Sequence, residues 1–140
     1  MTARELMTPN PACCTMNTPL QEVARMMVQC DCGEIPVVER LELRKPVGVV
    51  TDRDIVCRTI AEGKNPLTLE AAAAMSTPAV TVNERDGADE VLRIMEAHQI
   101  RRVPVVNQNG EICGIISQAD IARNQSRKEA GELVREVSKA

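Results

Sequence analysis

Gly48-Val49-Val50-Thr51-Asp52-Arg53-Asp54-Ile55 returns later in the chain as Gly114-Ile115-Ile116-Ser117-Gln118-Ala119-Asp120-Ile121. Each stretch is a glycine, two apolar residues, a hydroxyl residue, two variable positions, an aspartate and an isoleucine. The β-branched apolar pair predicts a short strand that ends at the hydroxyl residue. Thr51 or Ser117 then caps the helix that follows, and Asp54 or Asp120 completes a capping box. One such motif is a weak signal. Two in register are the mark of an internal repeat.

The repeat extends outward in both directions. Met7-Thr8-Pro9 stands beside Met75-Ser76-Thr77-Pro78, and Leu20, Val23, Ala24 and Met27 fall on Ala88, Val91, Leu92 and Met95. Ile35-Pro36-Val37-Val38 falls on Val103-Pro104-Val105-Val106 at the same offset. The offset shortens once, between the last two strands, so the first copy has the longer connection there. The positions from Leu20 to Met27 have the i, i+3, i+4, i+7 spacing of an amphipathic helix. Thr18 as N-cap, Pro19 at the first turn and Gln21 predict its start, and Asp86 predicts the cap of its counterpart. Val80-Thr81-Val82, Val103–Val106 and Ile112–Ile116 predict strands, with a turn at Asn107-Gln108-Asn109-Gly110. A helix carrying Ile55, Val56 and Ile60 is expected after Thr51, ending near Gly63. Each copy therefore reads as β-α-β-β-α, an α+β fold. The expected boundaries are 1–62 for the first repeat, 63–74 for a linker with a short helix over Leu69–Ala74, and 75–124 for the second repeat. Residues 125–140 are expected to form a terminal helix or tail, with Leu133, Val134 and Val137 at helical spacing. One copy is too small to cover both faces of its sheet. Two copies packed sheet to sheet cover each other and create a pseudo-twofold axis, with two equivalent clefts.

Composition narrows the function. The chain has 140 residues, of which 44% are hydrophobic and 26% charged, and it contains no Phe, Tyr or Trp. Base stacking on aromatic side chains is thereby excluded. The net charge of −3 argues against a nucleic-acid partner. No apolar run reaches the length of a membrane span, and Met1–Leu6 lack the apolar core of a signal peptide. The expectation is a cytoplasmic protein with no membrane partner. With His98 as the only histidine there is no Ser-His-Asp triad, and neither a P-loop nor a dinucleotide fingerprint is present. No enzyme activity is expected. His98 falls in the last turn of a helix, where a cation is favoured. Six cysteines include Cys13-Cys14 and Cys30-x-Cys32, with Cys57 and Cys113 apart. They read as core or surface thiols, while a redox-sensitive pair or a zinc site remains open.

The capping motif can also hold a nucleoside. A helix start offers free N–H groups to a phosphate, and a hydroxyl can donate to a ligand oxygen. A carboxylate one turn on can accept from both hydroxyls of a ribose. With this motif doubled, and with the Ile/Val-Pro-Val-Val strand, the span from Leu6 to Arg123 resembles a tandem pair of CBS domains, or Bateman module. The stretches GVVTDRDIV and HQIRRVPVV are similar to small stand-alone bacterial members. The resemblance implies a regulatory ligand: an adenine nucleotide such as AMP, ADP, ATP or NAD, and in some members S-adenosylmethionine. It implies that Asp54 and Asp120 hold ribose and that Thr51 and Ser117 lie near ribose and phosphate. The implied adenine slots are Cys13, Cys14, Ile35 and Val37 in one copy, and Thr81, Val82, Val103 and Val105 in the other. Arg101 and Arg102 are implied to reach a phosphate in the cleft of Thr51 and Asp54, where Arg53 could join them. Gly33 and Glu34 occupy the equivalent places in the first copy and break that pattern. A homodimer and an unidentified downstream effector protein are the implied partners. The alternative on the same fold is a cysteine-based redox or zinc sensor.

Overall fold

The computed structural model describes residues 1–127. The chain opens with a one-turn helix, α1 (Ala3–Leu6), and a short strand, β1 (Thr8–Pro9). The first unit follows as β2 (Cys14–Thr15), α2 (Leu20–Cys30), β3 (Glu34–Val38), β4 (Pro46–Thr51) and α3 (Asp52–Arg58). Three 3-10 turns, at Ile60–Glu62, Pro66–Thr68 and Ala71–Ala73, lead to the second unit. It consists of β5 (Val82–Asn83), α4 (Ala88–His98), β6 (Arg102–Val106), β7 (Ile112–Ser117) and a helix, α5, described over 118–127. Both units have the expected β-α-β-β-α order. Leu133, Val134 and Val137 lie outside the described residues.

The two sheets are ordered β2-β3-β4 and β1-β7-β6-β5. In each, the first strand runs parallel to the second, with Cys14 opposite Val37 and Val82 opposite Val105. The next two strands form an antiparallel hairpin, with Ile35 opposite Val50 and Val103 opposite Ile116. Both hairpins slip register at the same place, between Val37 and Val38 and between Val105 and Val106. The second hairpin turns where Asn107 Oδ1 accepts from the N–H groups of Asn109 and Glu111, and Gly110 takes a φ of 77°. That left-handed conformation suits a residue without a Cβ.

Helix spacing sets the cores. α2 buries Leu20, Val23 and Met27 against Ile35, Val37 and Val50. α4 buries Val91 and Met95 against Val103, Val105 and Ile116. Each fully buried aliphatic side chain contributes about 1.5–3 kcal/mol. Every residue of β3 is buried although successive side chains point to opposite faces. The strand is thus covered on both faces, with α2 packed on one of them.

The units exchange their leading segments. β1 pairs with β7, Thr8 opposite Ile115, and Ala3 sits in the second core. Conversely, Ala71 and Ala74 lie in the first core, and Ser76 pairs with Val49 through backbone bonds of 2.8 and 3.1 Å. This crossing explains the glycine that opens each motif. A Cβ on Gly48 would lie 2.5 Å from the Ser76 carbonyl oxygen, and one on Gly114 would overlap the Met7 side chain.

It also corrects the expected helix caps. Thr18 and Asp86 do not cap α2 and α4; the residues before those helices are Pro19 and Gly87. Thr18 Oγ1 instead accepts from Thr15 N–H at 3.0 Å, and Asp86 Oδ2 from Asn83 N–H at 2.9 Å, closing the turns ahead of the helices. The first helical N–H groups are taken by crossing backbone. Leu20 N–H donates to Leu69 O and Ala88 N–H to Met1 O, both at 2.9 Å.

Candidate functional site

The capping boxes form as the motif predicts. Thr51 N–H donates to Asp54 Oδ2 and Asp54 N–H to Thr51 Oγ1, both at 3.0 Å. Ser117 N–H donates to Asp120 Oδ2 at 2.9 Å, and Asp120 N–H to Ser117 Oγ at 3.2 Å. The residue after each cap is tied to the start of its neighbouring strand. Asp52 N–H donates to Gly33 O and Gln118 N–H to Arg101 O, each at 2.9 Å. Gly33-Glu34 and Arg101-Arg102 are therefore held beside the two helix starts in equivalent positions.

These residues meet in one cleft of about 890 Å³. Thr51, Asp52 and Arg53 line it from the first unit, and Arg101, Arg102, Ser117 and Gln118 from the second. Gly33 and Glu34 line it as well, so both halves of the repeat contribute to the same space. The repeat predicts two separate clefts; in the structure the two helix starts share one opening. The volume suits a nucleotide-sized ligand. Asp52 and Gln118 are cleft-lining positions that the sequence does not single out, because they are variable positions of the motif. Their place directly after the cap is the signal that sets them beside Thr51 and Ser117.

Glu34 is the unusual member. Its residue is 7% exposed, and Oε2 is buried with no hydrogen-bond partner. Burial pushes its carboxyl up from 4.5 to about 7; the positive charge of Arg102 opposes this, and the negative charge of Asp54 adds to it. The pseudo-twofold relation thus sets an acid where the other unit has Arg102.

Asp54 and Asp120 do not line the cleft themselves. Asp54 accepts from Ser76 Oγ at 3.3 Å and lies 3.7 Å from Arg58 Nε, while Asp120 pairs with Arg123. Ile35, Val37, Val82, Val103 and Val105 are buried to within 2% exposure or less. They belong to the cores, and Thr81 is half-buried beside them. Of the implied nucleoside site, the hydroxyl residues and arginines line the cleft, the two aspartates are engaged with neighbouring side chains, and the apolar positions are packed in the cores.

Cys13 lies beside Cys14 and Cys30 beside Cys32, with Cys57 and Cys113 apart. Cys14 is buried, and burial together with the neighbouring Cys13 pushes its thiol up to about 12. Cys13 Sγ lies 3.2 Å from an Arg44 guanidinium nitrogen. Burial raises the Cys32 and Cys113 thiols, while Cys30 and Cys57 are exposed. Among the described residues, no three His, Cys, Asp or Glu side chains are grouped to hold a metal ion. His98 ends α4 and is exposed. No helix among the described residues is long and apolar enough to cross a membrane.

Comparison with known proteins agrees with the repeat. The sequence profile of the CBS domain matches residues 3–58 and 71–127. The CBS domain-containing protein YhcV of Bacillus subtilis is 38% identical over 136 residues, covering 96% of this chain and 94% of YhcV. Hypoxic response protein 1 of Mycobacterium tuberculosis is 35% identical over 126 residues, covering 88% of this chain and 84% of its own. A crystal structure of Hypoxic Response Protein I with two coordinated zinc ions superposes with a TM-score of 0.79 at 34% identity, covering 88% of this chain and 98% of the other. The structure of CBSX2 in complex with AMP has a TM-score of 0.78 at 21% identity, covering 91% and 98%, a likeness of fold. The doubled motif, the two matching sheets and these similarities place this chain in the CBS domain family, as a tandem pair.

Proposed function

We propose that the chain is a regulatory ligand-sensing module that binds an adenosine-containing nucleotide between its two CBS domains. AMP, ADP, ATP and NAD share the half of the molecule that the motifs address. The observation that carries this reading is the convergence of Arg53, Arg101 and Arg102 with the Thr51 and Ser117 hydroxyls in one cleft. Guanidinium groups make charge-assisted bonds to phosphate oxygens, each worth roughly 1.5–3 kcal/mol. In this reading Asp54 and Asp120 hold ribose, which requires Asp54 to exchange its bond with Ser76 for the ligand. The adenine enters beside Ile35, Val37, Thr81, Val82, Val103 and Val105 when those packed side chains part. That opening is the conformational signal passed to an effector protein. The module has no catalytic role in this reading, and it acts as a homodimer inside the cytoplasm.

A thermal-shift panel of AMP, ADP, ATP, NAD, adenosine, GMP and CMP tests it. At a concentration 100 times Kd, one site adds about 2.7 kcal/mol of stability. The expected result is stabilisation by the adenosine compounds alone. Arg102→Ala should weaken AMP about 10- to 100-fold, at 1.4 kcal/mol per decade, and adenosine much less. Equal shifts for every nucleotide, or none for any, would overturn the reading.

A further inference from the structure

Glu34 stands out because it is a buried acid on the wall of a cleft whose other charged side chains are Arg53, Arg101, Arg102 and Asp52. Oε2 has no partner, and the residue is 7% exposed. An unpartnered buried carboxylate is costly, and so is bringing a second negative charge beside it. A protonated carboxyl has neither problem and can donate a hydrogen bond.

We propose that Glu34 is a proton-gated specificity residue: an anionic ligand enters the cleft with Glu34 protonated and is repelled when Glu34 is ionised. The inference rests on the nucleotide reading for its physiological ligand, though the gate itself concerns any anion in this cleft. The surrounding charges support it. Arg102 faces Glu34 from β6, with Arg101 beside it, and Asp52, Arg53 and Asp54 come from α3. Ser117 and Gln118 add only neutral groups from the second unit. Among the cleft-lining side chains three are cationic and two are acidic, so the state of Glu34 decides whether one net positive charge or two greet the ligand. Burial holds the free carboxyl near neutrality, at about 7, and an adjacent phosphate raises it further. Binding above that pH must therefore draw one proton from solvent.

Calorimetric titration of the full chain with AMP, adenosine and inorganic sulfate, at several values from about pH 6.5 to about pH 8.5, tests the gate. Uptake of one proton changes affinity by at most tenfold per pH unit, and with a free value of about 7 a total fall of about 25-fold is expected for AMP in the wild type. Sulfate, whose charge is constant in this range, should follow the same fall, and adenosine should show none. Glu34→Gln should bind AMP and sulfate with the affinity the wild type reaches at the acid end, at every pH, apart from the ionisation of AMP itself. Uptake of close to one proton per AMP in the wild type, measured from buffers of different ionisation enthalpy, supports the gate even if the variant fails to fold. The same pH profile in wild type and Glu34→Gln, or affinity for AMP that rises with pH, would sink it. If AMP and adenosine bind neither form, the nucleotide reading fails. Sulfate then decides the gate alone: a fall with pH confined to the wild type sustains it, and a shared profile or no binding overturns it.

Discussion

A single carboxyl at position 34 links stability to pH before any ligand is considered. Its folded value of about 7 exceeds the ordinary 4.5, so between these two the folded chain binds more protons than the unfolded one. Stability therefore falls as pH rises from about 4.5 to about 7 and is level above that, as far as this group is concerned. Each pH unit across that window is worth about 1.36 kcal/mol, so the loss is of order 3 kcal/mol. Glu34→Gln removes the buried charge and keeps the shape. It is expected to raise the free energy of unfolding by about 1–3 kcal/mol at pH 8.5, with little gain near pH 5. Urea titrations of both proteins at the two pH values check this, and an equal difference at both would contradict it. The residue scale is also where sequence reading ends soonest. The break in the pattern at Glu34 is visible beside Arg102. Its burial is not, because burial depends on packing between residues far apart in the sequence.

At the scale of elements, strands and helices are legible and their ends are not. The spacing of Leu20, Val23 and Met27 announces α2, since one apolar face must reach the core. The cap at Thr51 is equally plain, because its partner Asp54 lies only three residues on. Thr18 and Asp86 mislead, since the groups that satisfy the first N–H of their helices are Leu69 O and Met1 O, distant in sequence. The adenine positions fall on strands whose exposure local pattern does not reveal. The same crossing segments make a graded prediction at the two motif glycines. Gly48→Ala presses a methyl group onto the Ser76 carbonyl, which is backbone held in a pair with Val49. A loss of roughly 1–3 kcal/mol is expected, as for other overpacked sites. Gly114→Ala meets the Met7 side chain, which is flexible enough to move aside, so its cost should be clearly smaller. Melting temperatures of the two variants give the order, and a larger loss at Gly114 would reverse the argument.

For the whole molecule, the two units account for their inner surfaces and leave apolar groups outside. Val28 is 82% exposed, Ile60 58% and Leu67 66%. Burying such side chains is worth about 1.5–3 kcal/mol each, which gives the proposed homodimer its driving force. Sedimentation should report twice the 15.3 kDa of the chain. The pair Ile60→Lys and Leu67→Lys should give monomer with an unchanged far-ultraviolet spectrum. A wild-type monomer at micromolar concentration would end the dimer proposal. The net charge of −3 is small enough not to oppose association strongly.

The exchanged leading segments also bear on how the chain comes into being. On a ribosome, Ala3–Pro9 emerge before either unit, yet Thr8 has its partner at Ile115. These residues must wait, unpaired, until almost the whole second unit has been made. The first unit is in a similar position, since Ala71, Ala74 and Ser76 complete it only after its own last helix has left the exit tunnel. Such long-range pairing delays folding and leaves strand edges open meanwhile. Neither copy can finish on its own residues alone. The nascent chain acquires its cleft only once β7 has been made, when the waiting N-terminal strand can at last close the second sheet.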